Sequence, residues 1–265
     1  MRSFHMDSGT NTAFVIIRQE GLKIAKPLKD ALGGIIYARE GIKDNGVVEF
    51  SKLKELFRTL FSSKKNIIAI MATGIAVRMI SGLPKSKYRD PAVVVVDEGG
   101  RFAISLLSGH EGGANRLSLK ISSVIGCQPV ITTATESLKR YVVGIGFRKH
   151  TTKEQLKEAI LKALDIAGIM LNDVRLISTC WHKANSKSLL DASLELGLQV
   201  RFLPKFLYEN ELYRFERSLA EKYIGIKNVA EASALIASFN PTLILKKTVF
   251  DGVTIAIARE GMFGL

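Results

Sequence analysis

Ser108-Gly109-His110-Glu111-Gly112-Gly113-Ala114-Asn115 is the octet whose residue types and spacing could do chemistry. The His110 imidazole can exchange a proton near neutral pH, with a hydroxyl at Ser108 and an amide at Asn115 nearby in sequence. Gly109, Gly112 and Gly113 let backbone turn sharply or approach a ligand. The same letters also fit a plain glycine-rich turn into a helix, with His110 left in water. Ser108 lacks the Gly-x-Ser-x-Gly setting of a serine nucleophile, its neighbours being Leu106, Leu107, Gly109 and His110.

Other candidates are anion binders. Thr73 and Gly74 follow an apolar run, with Thr73 a good cap for a helix over 74–81 that carries Arg78. Thr132, Thr133 and Thr135 place hydroxyls at the end of an expected strand over 129–133, where β-branched strand formers are an equally good reading. Gly144 and Gly146, between a strand and a helix, let backbone meet an anion, reinforced by Arg148 and Lys149. A nicotinamide site is not expected: position 149 is Lys where the fingerprint wants Gly, and no acidic residue stands suitably about 20 residues on. Asp97 and Glu98 read as turn residues, and Trp181, after Cys180, as packing. The histidines, His5, His110, His150 and His182, show no metal spacing, and two cysteines make no disulfide framework.

The elements that position these residues follow from periodicity. Strands are expected at 12–18, 35–38, 67–71, 91–97, 101–107, 129–133, 141–146, 174–179, 199–203, 243–249 and 253–258. Asp97-Glu98-Gly99-Gly100 and Asp251-Gly252 signal hairpins. Helices are expected at 20–32, with Pro27 an obstacle, and at 114–125, 152–167, 186–196 and 228–238. Phe50, Leu53, Leu56, Phe57, Leu60 and Phe61 recur on one helical face. Thr151 to Glu154 reads as a capping box, Asn228 as a cap, and the stretch 205–225 as holding a short helix. The fold class is therefore α/β: two α/β domains with mixed sheets and a cleft between them. The domains are expected at 1–136 and 141–265, joined by a linker at 137–140. Residues 69–135 would form one wall of that cleft, and 144–149 the facing wall.

With 265 residues and 47% hydrophobic content the chain can bury a substantial core. No apolar run approaches the roughly 18 residues of a membrane span. The polar opening MRSFHMDSGTN points to a cytoplasmic protein, with a loose tail before Thr12 and Met6 as a possible start. A net charge of +13 fits a Lys-rich surface or a polyanionic partner. Nucleic acid is not expected, because the charge is spread along the chain and no recognition motif accompanies it.

Three stretches in order, MATGIAVRMI (71–80), DPAVVVVDEGGRFAISLLSGHEGGAN (90–115) and PVITTATE (129–136), resemble the CbiG family of cobalamin biosynthesis. VVGIGFRKHT (142–151) and NVAEASALIAS (228–238) resemble that family's second half. Phe147 stands where the family usually has Cys and His150 where it usually has Gly, and the usual middle domain is absent between the TTAT and GIG stretches. The resemblance implies a cobalt-precorrin-5A hydrolase of the anaerobic route, which opens a δ-lactone with release of acetaldehyde to give cobalt-precorrin-5B. The alternative is a non-catalytic carrier of the cobalt tetrapyrrole. Either way the expected partners are that polycarboxylate and other corrin-pathway enzymes, and no membrane. No cofactor of its own is expected, since cobalt arrives with the substrate. For such a reaction, His110 is the expected base and Ser108 and Asn115 are donors. Thr73, Gly74, Arg78, Gly109, Gly112, Gly113, Thr132, Thr133, Thr135, Gly144, Gly146 and Arg148 are expected to hold substrate.

Overall fold

The computed structural model describes residues 11–209, 225–226 and 228–261. The tail expected before Thr12 (Asn11 apart), the Met6 start, and residues 210–224 of the expected short-helix stretch lie outside the described residues. The chain divides into two compact units, Met1–Thr133 and Ala134–Leu265. No helix among the described residues is long and apolar enough to cross a membrane.

The first unit is built on a seven-stranded sheet, ordered β3-β2-β1-β4-β5-β6-β7. Its strands are β1 (Thr12–Ile16), β2 (Ile35–Arg39), β3 (Val47–Phe50), β4 (Asn66–Ile70), β5 (Ala92–Val96), β6 (Phe102–Leu107) and β7 (Gln128–Val130). β4 and β5 read as unbroken apolar runs because helices cover both faces. On one face Phe14, Ile16, Ile68, Ile70, Val94 and Val96 pack with α1 (Leu22–Leu32) and α4 (Ala114–Ile125). On the other, Ala13, Val15, Ile67, Ala69, Val93 and Val95 pack with α2 (Leu53–Ser63) and α3 (Thr73–Ile80). Strand alternation thus sorts one sequence into two cores.

Three expectations shift here. Phe50 is not on the amphipathic helix; it ends β3, a strand not foreseen, and the helix begins at Leu53. Thr73 is not a cap but the first helical residue after Ala72, because β4 ends at Ile70. Pro27 sits inside α1 without stopping it. Both Pro27 and Lys23, whose carbonyl loses its donor, lie on the exposed side, where water can take that carbonyl.

The second unit carries a five-stranded sheet, ordered β10-β9-β8-β12-β11. The strands are β8 (Tyr141–Gly146), β9 (Val174–Cys180), β10 (Gln199–Leu203), β11 (Pro241–Phe250) and β12 (Val253–Glu260). β8, β9 and β10 are parallel, and β12 runs antiparallel to both its neighbours. Between Thr133 and β8 lies a short helix, α5 (Ala134–Ser137). α6 (Lys153–Ala167) packs beside α7 (Lys187–Glu195), and Glu195 bridges Lys153 and Lys157. The capping box of α6 falls one residue later than expected. Thr152 Oγ1 accepts from the Gln155 amide at 3.2 Å and Gln155 Oε1 accepts from the Thr152 amide at 3.0 Å. A glutamine in the third helical position serves that motif as well as a glutamate.

After β10 comes a single turn, α8 (Lys205–Tyr208), and then α9 (Val229–Ile236), capped by Asn228. α9 lies directly on β8, β9 and β12. Arg175 closes the other end of this unit, reaching Glu260 through Nε at 2.7 Å and Nη2 at 2.8 Å, and the Ala237 carbonyl at 2.9 Å.

Candidate active site

The octet is a tightly wound connection between β6 and α4. The amides of Ala114 and Asn115 donate to the carbonyls of Ser108 and Gly109, at 3.1 and 3.0 Å. Two amides of the first helical turn are thereby committed to the loop itself. Gly113 caps α4 in the left-handed region at φ 87°. Gly112 is demanded by space: a Cβ there would lie 2.3 Å from Ser108 Cβ and 3.0 Å from the Ser108 carbonyl oxygen. Gly109 is crowded in the same way by Thr133 and by Asn115 Oδ1.

Asn115, 1% exposed, is a clip. Its Oδ1 accepts from Ser105 Oγ at 2.8 Å, and its Nδ2 donates to Thr133 Oγ1 at 3.0 Å. It therefore ties β6 to the segment after β7 and fixes the loop between them. This departs from its expected role: the Asn115 amide is turned inward with both its atoms engaged, not presented as a donor to a ligand. Ser105 was missed in the sequence, where a lone hydroxyl in the apolar β6 was the available signal.

Of the side chains expected to do chemistry in the loop, His110 and Ser108 remain. His110 is exposed, and the Gly109 carbonyl beside it is pinned. Ser108 has a positive φ of 58°, unusual for a residue with a side chain, and is 8% exposed with no hydrogen-bond partner for its hydroxyl. Such strain and an unsatisfied buried polar atom each cost on the order of 1–3 kcal/mol. They concentrate here on one residue. Further along α4, burial first and the Arg116 charge second pull the Lys120 ammonium down to about 8.

The sheet separates residues that the sequence places together. β5 and β6 are antiparallel, so Leu107 lies opposite Val93, while Ile70 of β4 lies opposite Val96. The octet consequently leaves at one end of the strands and α3 starts at the other, roughly 17 Å away at ~3.3 Å per residue. Thr73 and Gly74 are therefore not part of the loop's site, and residues 69–135 are not one wall. Gly74 is exposed, and a Cβ there would meet nothing within 4 Å. Arg78 lies in the last turn of α3, exposed. Thr132 and Thr133 follow β7 rather than ending it, with Thr133 on the clip and Thr132 exposed. Thr135 belongs to α5 of the second unit, not to a strand end.

Asp97 makes the hairpin turn that inverts the sheet. Its Oδ1 accepts from the amides of Arg101 and Phe102 at 2.8 and 2.7 Å, and Oδ2 meets Arg101 Nε at 3.1 Å. Partial burial works to raise its pKa, but these donors outweigh that and hold the carboxyl below its ordinary value.

In the second unit Gly144 does not face a ligand. It is buried under α9, where a Cβ would fall 1.9 Å from the Ala230 carbonyl oxygen. The first glycine of the pair thus serves helix-on-sheet packing, which is its correction. Gly146 is half-buried at the end of β8, and Arg148, Lys149 and His150 follow it, all exposed.

Residues 55–136 match the family model described as cobalamin synthesis G N-terminal, and residues 141–258 match that described as cobalamin synthesis G C-terminus. The chain is 43% identical over 117 residues to the cobalt-precorrin-5A hydrolase of Salmonella typhimurium, covering 44% of this chain and 33% of that one. It is 36% identical over 140 residues to the cobalt-precorrin-5A hydrolase of Priestia megaterium, covering 50% and 37%. A probable cobalt-precorrin-5A hydrolase of Methanocaldococcus jannaschii is 24% identical over 335 aligned positions, covering 94% and 98%. The chain thus spans about a third of the length of the first two relatives. With both halves matched in order, the chain belongs to the cobalamin synthesis G family.

Proposed function

We propose that this protein hydrolyses the δ-lactone of cobalt-precorrin-5A, releasing acetaldehyde. The observation that carries the reading is the loop: an exposed His110 on backbone fixed by the Ser108 and Gly109 carbonyls and by the Asn115 clip. In this reading His110 takes a proton from water as the water oxygen attacks the lactone carbonyl carbon. The carbonyl oxygen gains negative charge, which the Ser108 hydroxyl and the loop amides of Gly112 and Gly113 would stabilise. The ring C–O bond then breaks and its oxygen takes up the proton. That freed hydroxyl gives up its proton and becomes the carbonyl of acetaldehyde as the adjoining C–C bond breaks, while the bonding pair stays with the macrocycle carbon, which takes up a proton. Cobalt enters as part of the substrate, whose carboxylates suit a chain of net charge +13.

The test is incubation of the purified chain with cobalt-precorrin-5A and assay of acetaldehyde. Binding without acetaldehyde would favour the second reading, a carrier of the tetrapyrrole. Its support is the modest share of the two curated hydrolases that this chain spans. If Asn115 acts by positioning His110, Asn115→Ala lowers turnover about tenfold or more. The same change made on top of His110→Ala adds little, because both would disable one unit. Full additivity of the two losses would show that Asn115 works independently of His110.

A further inference from the structure

A second place for negative charge lies in the other unit and is not used by the loop chemistry. β8 and β9 are parallel neighbours with Gly144 opposite Ser178. Residues leaving their carboxyl ends, Phe147 and Arg148 from one and Trp181 to Lys183 from the other, therefore emerge side by side. Lys183 Nζ lies 4.4 Å from the centroid of the Phe147 ring. Lys183 is half-buried, and burial pulls its pKa below the ordinary lysine value, with only Cys180 acting the other way.

Among the described residues no carboxylate offsets that cost. Among the described residues the ion pairs of this unit join Lys139 to Glu136, Lys153 and Lys157 to Glu195, Lys162 to Glu158, Arg175 to Glu260 and Lys205 to Glu209, with Lys153 also near Glu154. None reaches Arg148, Lys149 or Lys183. Asp251 is held by Gln155 Nε2 at 2.7 Å, and Glu231 by Asn228 and the Lys247 amide. The Phe147 ring offsets part of the cost of half-desolvating this ammonium, and an arriving anion would offset more. Two aromatic rings adjoin Lys183: Phe147, whose ring the ammonium overlies, and Trp181, half-buried on Cys180, Ile226 and Val229 with the His182 and Tyr208 rings at 5.2 and 6.0 Å. Bare inorganic anions have no use for such faces, whereas an anion mounted on a planar ring does.

We propose that Lys183 and Arg148, with Phe147 and Trp181 beside them, form a subsite for a carboxylate carried on a flat ring. That the ring is a tetrapyrrole rests on the proposed function; the pairing of unpaired cations with aromatic faces does not. The full chain is titrated with uroporphyrin, a planar macrocycle ringed by acetates and propionates. Lys183→Met, which removes the ammonium over Phe147 but keeps an unbranched apolar side chain, weakens binding about tenfold, and Arg148→Gln several-fold. Lys183→Arg restores most of the affinity. Citrate at equal carboxylate concentration fails to displace the porphyrin.

Unchanged affinity in Lys183→Met, with its fold verified by circular dichroism, overturns the subsite. So does displacement by citrate, which would make the patch a general anion surface. Arg148→Gln, at an exposed position, carries the same test if Lys183→Met does not fold. The two proposals fail separately. Acetaldehyde release with an unaffected Lys183→Met removes only the subsite, and Lys183-dependent porphyrin binding without acetaldehyde release removes only the hydrolase.

Discussion

Gly144→Ala is expected to destabilise the second unit by at least about 3 kcal/mol, a loss of the size that overpacking a rigid core produces. The added carbon would stand 1.9 Å from the Ala230 carbonyl oxygen, 2.7 Å from the Ala234 amide nitrogen and 2.9 Å from Ala234 Cβ. Two of these are backbone atoms of α9, so no side chain can swing aside. The helix must lift from β8, and buried Ala230, Ala234 and Leu235 lift with it. In thermal unfolding the midpoint falls by about 10 °C or more, or the cooperative transition of this unit disappears. Gly74→Ala is the control: its Cβ meets nothing within 4 Å in α3, and it stabilises slightly, by ~0.5–1 kcal/mol. A Gly144→Ala protein that melts like the wild type would remove the packing account and return this glycine to the list of ligand contacts.

His110→Ala is expected to lower acetaldehyde release by about 10²–10⁴-fold, the range that a positioned general base supplies. Tetrapyrrole affinity should change by no more than about threefold, because the side chain is exposed and the loop is held by other atoms. Folding should be untouched for the same reason. This pattern, a fall in turnover without a fall in affinity, separates proton transfer from binding. Turnover at the wild-type rate would take His110 out of the mechanism.

Much of the fold is legible because burial imposes simple periods. The runs in β4 and β5, the face of Leu53, Leu56, Phe57 and Leu60, and the Asp251-Gly252 hairpin each announce one element. β3 escapes notice because Val47–Phe50 is short, and only Phe50 of it is fully buried. The chemistry of the octet is legible by residue type, and its clip is not, since Ser105, Asn115 and Thr133 meet only through tertiary structure. The larger misreading came from proximity in sequence. The β5–β6 hairpin was foreseen, yet its consequence, that the octet leaves at the end of the strands opposite Thr73, needs the pairing register of three strands. Gly144 misleads for a similar reason: one letter serves equally for a ligand's approach and for a helix's.

The strand order of the second sheet also sets a timetable on the ribosome. Every strand of the first sheet, and every helix that covers it, lies within one continuous stretch of chain, so that unit can close while the rest is still being made. β8 cannot. Its open flank is sealed by β12, about a hundred residues further along, and the face that carries Gly144 and Gly146 is covered by α9, which precedes β11 and β12. Until those segments leave the exit tunnel, β8 lies in a nascent sheet with a raw edge that could pair with another chain. Yield of the intact protein should therefore be more sensitive to growth temperature and to holding chaperones than the packing of its finished sheets would imply.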